Sequence, residues 1–285
     1  EAARNLVKLP KGNLEKDLIN IIKKLLDTFD LNKRNSSEIQ FLEARLLLHI
    51  NENEFAFKKF CTANRMKFDS LGNRVIRSTQ RYELHLKRIE DWIPRIPVIK
   101  DGSLKKLFLL GPSRSGKSLL EKLLSSSPNV EPFYEGHKSI RKNIKNRTVD
   151  FGDLFFGDEY ELIQKGCELI TSTDPHSLSL IIDLVEKLPN SFFVFLNRNI
   201  HDVAAEIFIN EYSIGNYYSY DPHATMKYLN WNRTTSEIFK TKVPERSLIL
   251  SFEQIIEDPV QVIKNIGDLA SINFEIKKSS YDMKK

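Results

Sequence analysis

The sequence predicts an α/β fold, a three-layer parallel sheet carrying a P-loop-like phosphate-binding loop, preceded by a small all-helical domain. Three observations predict it. Residues 105 to 124, KKLFLLGPSRSGKSLLEKLL, run from an apolar strand through a Gly/Ser loop into an amphipathic helix. Beyond them, short apolar strands alternate with helical patterns. Before them, residues 1 to 100 are almost free of glycine, and their apolar residues recur at three- and four-residue steps. Pro94, Pro97 and Asp101-Gly102 punctuate the join, so the expected domains are residues 1 to 100 and 101 to 285.

In chain order, Leu14, Leu18, Ile21, Ile22, Leu25 and Phe29 mark a first helix, and Ile39, Leu42, Leu46 and Ile50 a second. Phe55, Phe57, Phe60 and Met66 mark a third. The break Asn51-Glu52-Asn53 makes the last two a helical hairpin. A fourth helix runs from Val75 to about Trp92. Leu107 to Leu110 form the strand before the loop, and the next helix ends at Ser125-Ser126-Ser127-Pro128. A strand is expected at Glu168 to Thr171 and a helix through Leu178, Ile181, Ile182 and Val185. The strand Phe192 to Leu196 follows, then a helix from Val203 to Ile209 and an aromatic loop with Tyr217, Tyr218 and Tyr220. A helix through Tyr228, Leu229, Trp231 and Ile238, a strand at Leu248 to Phe252 and a helix from Ile255 to Leu269 complete the pattern.

Gly111, Gly116, Lys117 and Ser118 satisfy G-x-x-x-x-G-K-S. Glycines let backbone N–H groups approach phosphate oxygens, and the following helix N-terminus adds partial positive charge. Lys117 contributes a mobile point charge and Arg114 a planar, bidentate one. Arg198 lies at the carboxyl end of the strand Phe192 to Leu196, where ligand-binding residues collect in a parallel sheet.

Forty-three basic against 38 acidic residues give a net charge of +5, too small an excess to argue for a nucleic-acid partner. The basic run Lys138, Arg141, Lys142, Lys145 and Arg147 reads first as a solvated helix face. Cys61 and Cys167 lack metal-ligand spacing, so buried thiols in a reduced compartment and no metal site are expected. There is neither an apolar run of transmembrane length nor a leading signal segment, and a cytoplasmic location is the expectation.

The helical hairpin resembles tetratricopeptide-like repeats, with Ala56 of EFAFKKFCTANRMK as the small residue that lets helices approach. The segment RSGKS resembles the P-R-S-G-T-T loop of sulfotransferases. PNVEPFYEGH, NSFFVFLNRNIHDVAAEIF and YLNWNRTTSEIFKTKVPERSLILSFEQIIEDP are similar to later stretches of that family in the same order. Bacterial sulfotransferases with tetratricopeptide repeats carry a segment like EFAFKKFCTANRMK upstream. The resemblance implies a donor, 3′-phosphoadenosine 5′-phosphosulfate. Arg114, Ser115, Gly116, Lys117 and Ser118 would hold its 5′-phosphosulfate, Arg198 would hold its 3′-phosphate, and Glu135 would act as base, with His137 as the alternative. Lys117 and Ser118 stand where the family has two threonines, Glu206 stands where it has a serine partner for the 3′-phosphate, and STDP around Asp174 lacks the lysine of D-K-x-P. The implied acceptor is a sugar, peptide, lipid headgroup or small metabolite, in a cleft lined by Tyr217, Tyr218 and Trp231. The helical domain would offer a surface to a protein partner.

Two other readings stand beside it. A P-loop kinase or nucleotide hydrolase would use ATP and magnesium, with Ser118 on the metal and an acidic residue after a strand. Asp183 in Ile181-Ile182-Asp183 has the letters but lies in a helical pattern. The other reading is a catalytically weak binding module acting through the helical domain.

Overall fold

The computed structural model describes residues 36–99, 102–133, 159–175, 177–212 and 215–275, with Asp17, Asn20 and Lys24 as helical positions. The rest of the expected first helix, and the basic run from Lys138 to Arg147, lie outside the described residues. Two compact units divide the chain. One takes Glu1–Tyr82 with Ala204–Tyr228, the other Glu83–Val203 with Leu229–Lys285.

In the first unit, α1 (Ser37–His49) and α2 (Asn53–Leu71) pack as the expected hairpin. Ser36 opens α1, its Oγ accepting from the Ile39 N–H. Ala44, Ala56 and Ala63 are fully buried, so small side chains face the contact while Phe41 and Phe60 fill it. The segment after residue 204 belongs here because its polar backbone is satisfied by the hairpin. Asn64 donates to the Phe208 carbonyl at 2.9 Å, and Arg45 donates to the Ile209 carbonyl at 3.0 Å and Asn210 Oδ1 at 2.6 Å. Tyr220 joins the same core. Among the described residues there is one hairpin and no repeat array.

The second unit is built on five parallel strands, β1 (Lys105–Leu110), β2 (Val130–Pro132), β3 (Leu169–Ser172), β4 (Ser191–Asn197) and β5 (Ser247–Ser251), in the order β2-β3-β1-β4-β5. Residues of β1 and β4 alternate between two apolar layers. Leu107, Leu109, Val194 and Leu196 pack with Leu120, Leu123 and Leu124 of α4 (Lys117–Leu124) and Val262, Ile263 and Ile266 of α10 (Pro259–Ala270). On the other face Phe108 stacks on Phe193 at 5.4 Å, and Phe193 and Phe195 meet Phe239 of α8 (Pro222–Lys242), which stacks on Trp92 after α3 (Arg74–Asp91). Each such side chain contributes roughly 1.5–3 kcal/mol by leaving water. The remaining helices are α5 (Glu159–Gln164), α6 (Ile181–Lys187), α7 (Ile200–Phe208) and α9 (Phe252–Glu257).

Several boundaries differ from expectation for local reasons. The helix expected from Leu178 begins as a 3-10 turn, Ser177–Leu180, after Pro175. The helix expected from Val203 starts three residues earlier, at Ile200, because Asn199 Oδ1 accepts the N–H groups of His201 and Asp202. Phe252 is the first residue of α9 rather than the last of β5, since Ser251 and Gln254 form a capping box there. Asp258 caps α10, with Pro259 at its first turn, which splits the expected last helix in two. The thiols are not both buried: Cys61 is exposed and Cys167 half-buried.

Candidate functional site

The loop from Gly111 to Gly116 leaves β1, the central strand, at its carboxyl end, with β3 and β4 on either side. Two glycines shape it. Gly111 has φ +143, and a Cβ there would sit 2.6 Å from the Leu196 carbonyl oxygen. Gly116 has φ +99, and its Cβ would meet the Phe252 ring at 2.6 Å. Both are places where only glycine lets the chain through. Arg114 also has positive φ, +70, and its side chain is exposed.

Ser115 and Lys117 are buried, whereas Ser118 is exposed at the first turn of α4. Ser115 Oγ, wholly inaccessible, has no hydrogen-bond partner among the described residues. A buried hydroxyl without a partner costs free energy. Lys117 differs from the mobile charge expected. Its Nζ donates to the carbonyls of Gly111 at 2.6 Å and Pro112 at 2.9 Å, so the ammonium is folded onto its own loop.

Arg198 follows β4. Its Nη1 donates to the Arg114 carbonyl at 3.1 Å, and its guanidinium lies 4.7 Å from the centre of the Phe252 ring. The structure therefore brings Arg198 onto the loop, 84 positions away in sequence. Beside it opens a cleft of about 200 Å³ lined by Pro112, Asn197, Arg198, Asn232, Arg233, Ser251 and Glu253 among others. Apolar Ile200, Val203 and Leu229 share that lining, and the two arginines, Arg198 and Arg233, suit it to an anionic ligand. Phe252 beside Arg198, and Asn232 and Glu253 in the cleft, are not among the site residues expected from the sequence. The rule that selected Arg198, position at the carboxyl end of a parallel strand, applies equally to Phe252 after β5.

Other candidates fall elsewhere. Glu135 and His137 lie outside the described residues. Trp231 and Tyr218, expected to line an open cleft, are only 5% and 3% exposed. The Trp231 indole N–H donates to His85 Nδ1 at 3.1 Å, and Tyr218 stacks on Tyr228 at 3.7 Å. Both are packed structure because each large ring found an aromatic partner. Tyr217 is half-buried, with Arg74 over its ring. Glu206 is half-buried on α7. Burial, with the nearby Arg88 charge adding to it, holds His85 down to about 4.

Two carboxylates bear on metal chemistry. Asp183 lies on α6, paired with Arg88 at 3.2 Å and Lys187 at 3.1 Å. Asp174 is buried just past the end of β3, the strand beside β1. Among the described residues no group of three His, Cys, Asp or Glu could hold a metal ion, and no helix is long and apolar enough to cross a membrane.

No protein-family model and no curated protein matches this chain. Among the solved structures similar to it are sulfotransferases. A sulfotransferase from Alicyclobacillus acidocaldarius is 17% identical over 63% of this chain and 86% of its own, with a TM-score of 0.43. The sulfotransferase domain of the Synechococcus PCC 7002 olefin synthase is 15% identical over 65% and 78%, TM-score 0.41. A sulfotransferase from Mycobacterium tuberculosis H37Rv is 11% identical over 96% and 94%, also at 0.41.

Proposed function

We propose that the chain is a sulfotransferase that moves a sulfuryl group from 3′-phosphoadenosine 5′-phosphosulfate to an acceptor hydroxyl or amine. One observation carries this reading: Arg198 is hydrogen-bonded into a glycine-shaped anion loop and borders the cleft beside it. A loop for one anionic group and an arginine set beside it for another suit a nucleotide with two separate anionic ends.

The residues present fit such a donor. The loop leads from β1 into the N-terminus of α4 and carries Lys117 at its end, with Arg198 held beside it. The donor supplies the sulfuryl group, with adenosine 3′,5′-bisphosphate as the leaving group. Loop N–H groups and Lys117, once it exchanges its carbonyl partners for the ligand, oppose the negative charge that grows on the leaving oxygen. Arg198 pairs with the 3′-phosphate, and Glu135 is the base we assign to the acceptor proton, with His137 as the alternative. Lys117→Ala is expected to lower kcat by about 10² to 10³.

The test is thermal stabilisation of the purified protein by adenosine 3′,5′-bisphosphate, compared with ATP and magnesium. A ligand that binds only the folded state raises its stability by about 2.7 kcal/mol at a hundred times its Kd. The bisphosphate is expected to raise Tm, and the shift to vanish in Arg198→Ala. A second reading, phosphoryl transfer from ATP with magnesium, needs a carboxylate past the end of a strand near the loop, and Asp174 past the end of β3 is the candidate for it. A shift with ATP and magnesium alone, abolished by EDTA, would put that reading first.

A further inference from the structure

Phe252 stands at the first position of α9, where the Ser251 capping box fixes the turn: Ser251 Oγ accepts from the Gln254 N–H at 3.1 Å, and Gln254 Oε1 accepts from the Ser251 N–H at 2.7 Å. The backbone is thus set just where the ring leaves it. One edge of the ring lies against Gly116, closely enough that a Cβ there would be 2.6 Å from Cδ2 and 3.2 Å from Cε2. The Arg198 guanidinium is 4.7 Å from the ring centre, and Nη1 is held by the Arg114 carbonyl. Arginine is a long side chain with much rotamer freedom, and ordering it on ligand arrival weakens binding. Here the ring and the carbonyl order it beforehand, on the wall of the cleft that also holds Asn197, Ser251 and Glu253.

We propose that Phe252 is a positioning residue for Arg198, and that through it the protein distinguishes a nucleotide with a second phosphate from one without. This rests on the donor reading above. The anion loop takes the 5′ group that adenosine monophosphate and adenosine 3′,5′-bisphosphate share, so an effect transmitted through Arg198 touches the bisphosphate alone.

The experiment measures Kd for both nucleotides in wild type, Phe252→Leu, Phe252→Tyr, Arg198→Ala and the Arg198→Ala, Phe252→Leu double variant. Melting curves check folding, and Phe252→Met replaces Phe252→Leu if the leucine variant unfolds. Expected are a loss of about tenfold for the bisphosphate in Phe252→Leu with monophosphate binding unchanged, recovery in Phe252→Tyr, and no further loss when Phe252→Leu is added to Arg198→Ala. Equal weakening of both nucleotides, or a full additional loss in the double variant, would overturn the proposal by showing that the ring acts on the loop or the base. Wild-type discrimination left undiminished by Phe252→Leu overturns it alone. Wild-type protein that binds the two nucleotides equally overturns the donor reading and this proposal together.

Discussion

Gly116 turns the chain at φ +99 with the Phe252 ring where its side chain would begin. Gly116→Ala must therefore strain the backbone and displace the ring, a cost of about 1–3 kcal/mol for the strain. Lower Tm and loss of the bisphosphate-induced shift are expected, both read from melting curves. His85 offers a test by pH. The unfolded chain takes up that proton near the ordinary 6.5, the folded chain only near 4. The unfolded state thus binds more protons between those values, so the contribution is present in full above 6.5 and is lost as pH falls toward 4. The loss amounts to roughly 3 kcal/mol. Denaturant titrations at stepped pH should show that slope, and His85→Gln should flatten it, while its amide oxygen can still accept from Trp231.

The helix after the loop, α4, is fastened to β3 by Glu121, a fully buried carboxylate that accepts from Thr171 Oγ1 at 2.8 Å and Thr173 Oγ1 at 3.3 Å. Removing the carboxylate strands two buried hydroxyls. Glu121→Ala is expected to destabilise by about 1–3 kcal/mol for each hydroxyl deprived of its acceptor, measured by urea unfolding. Glu121→Gln, which keeps one acceptor oxygen, should be destabilised less. The sequence pattern of this element does not foretell the burial: Leu120, Leu123 and Leu124 make an amphipathic helix with Glu121 on no obvious face, and only the sheet supplies the hydroxyls that let it be buried.

Across the whole molecule, the decisive contrast is between nucleotides. Sulfuryl transfer through loop amides, Lys117 and Arg198 predicts that turnover and bisphosphate binding are unchanged by EDTA, whereas Asp174 and Ser118 would require magnesium for phosphoryl transfer. Turnover assayed with and without the chelator separates them. Bisphosphate affinity should also fall as salt rises, since the charges of Arg198 and Arg233 in the cleft are screened within about 8 Å at physiological ionic strength.

Local pattern determined the strand, loop and helix around Gly111 to Ser118, the helical hairpin and the alternation of the second half. Glycine spacing and apolar periodicity are properties of neighbouring residues. The position of Arg198 at a strand end was legible for the same reason. Tertiary structure alone decided what those residues touch. It set Arg198 on the Arg114 carbonyl and against Phe252, and it buried Trp231 and Tyr218 against partners far along the chain or in the next turn of structure. It also folded Lys117 onto the loop carbonyls. Such contacts depend on strand order, β4 between β1 and β5, and no local run of residues encodes which strand will lie beside which.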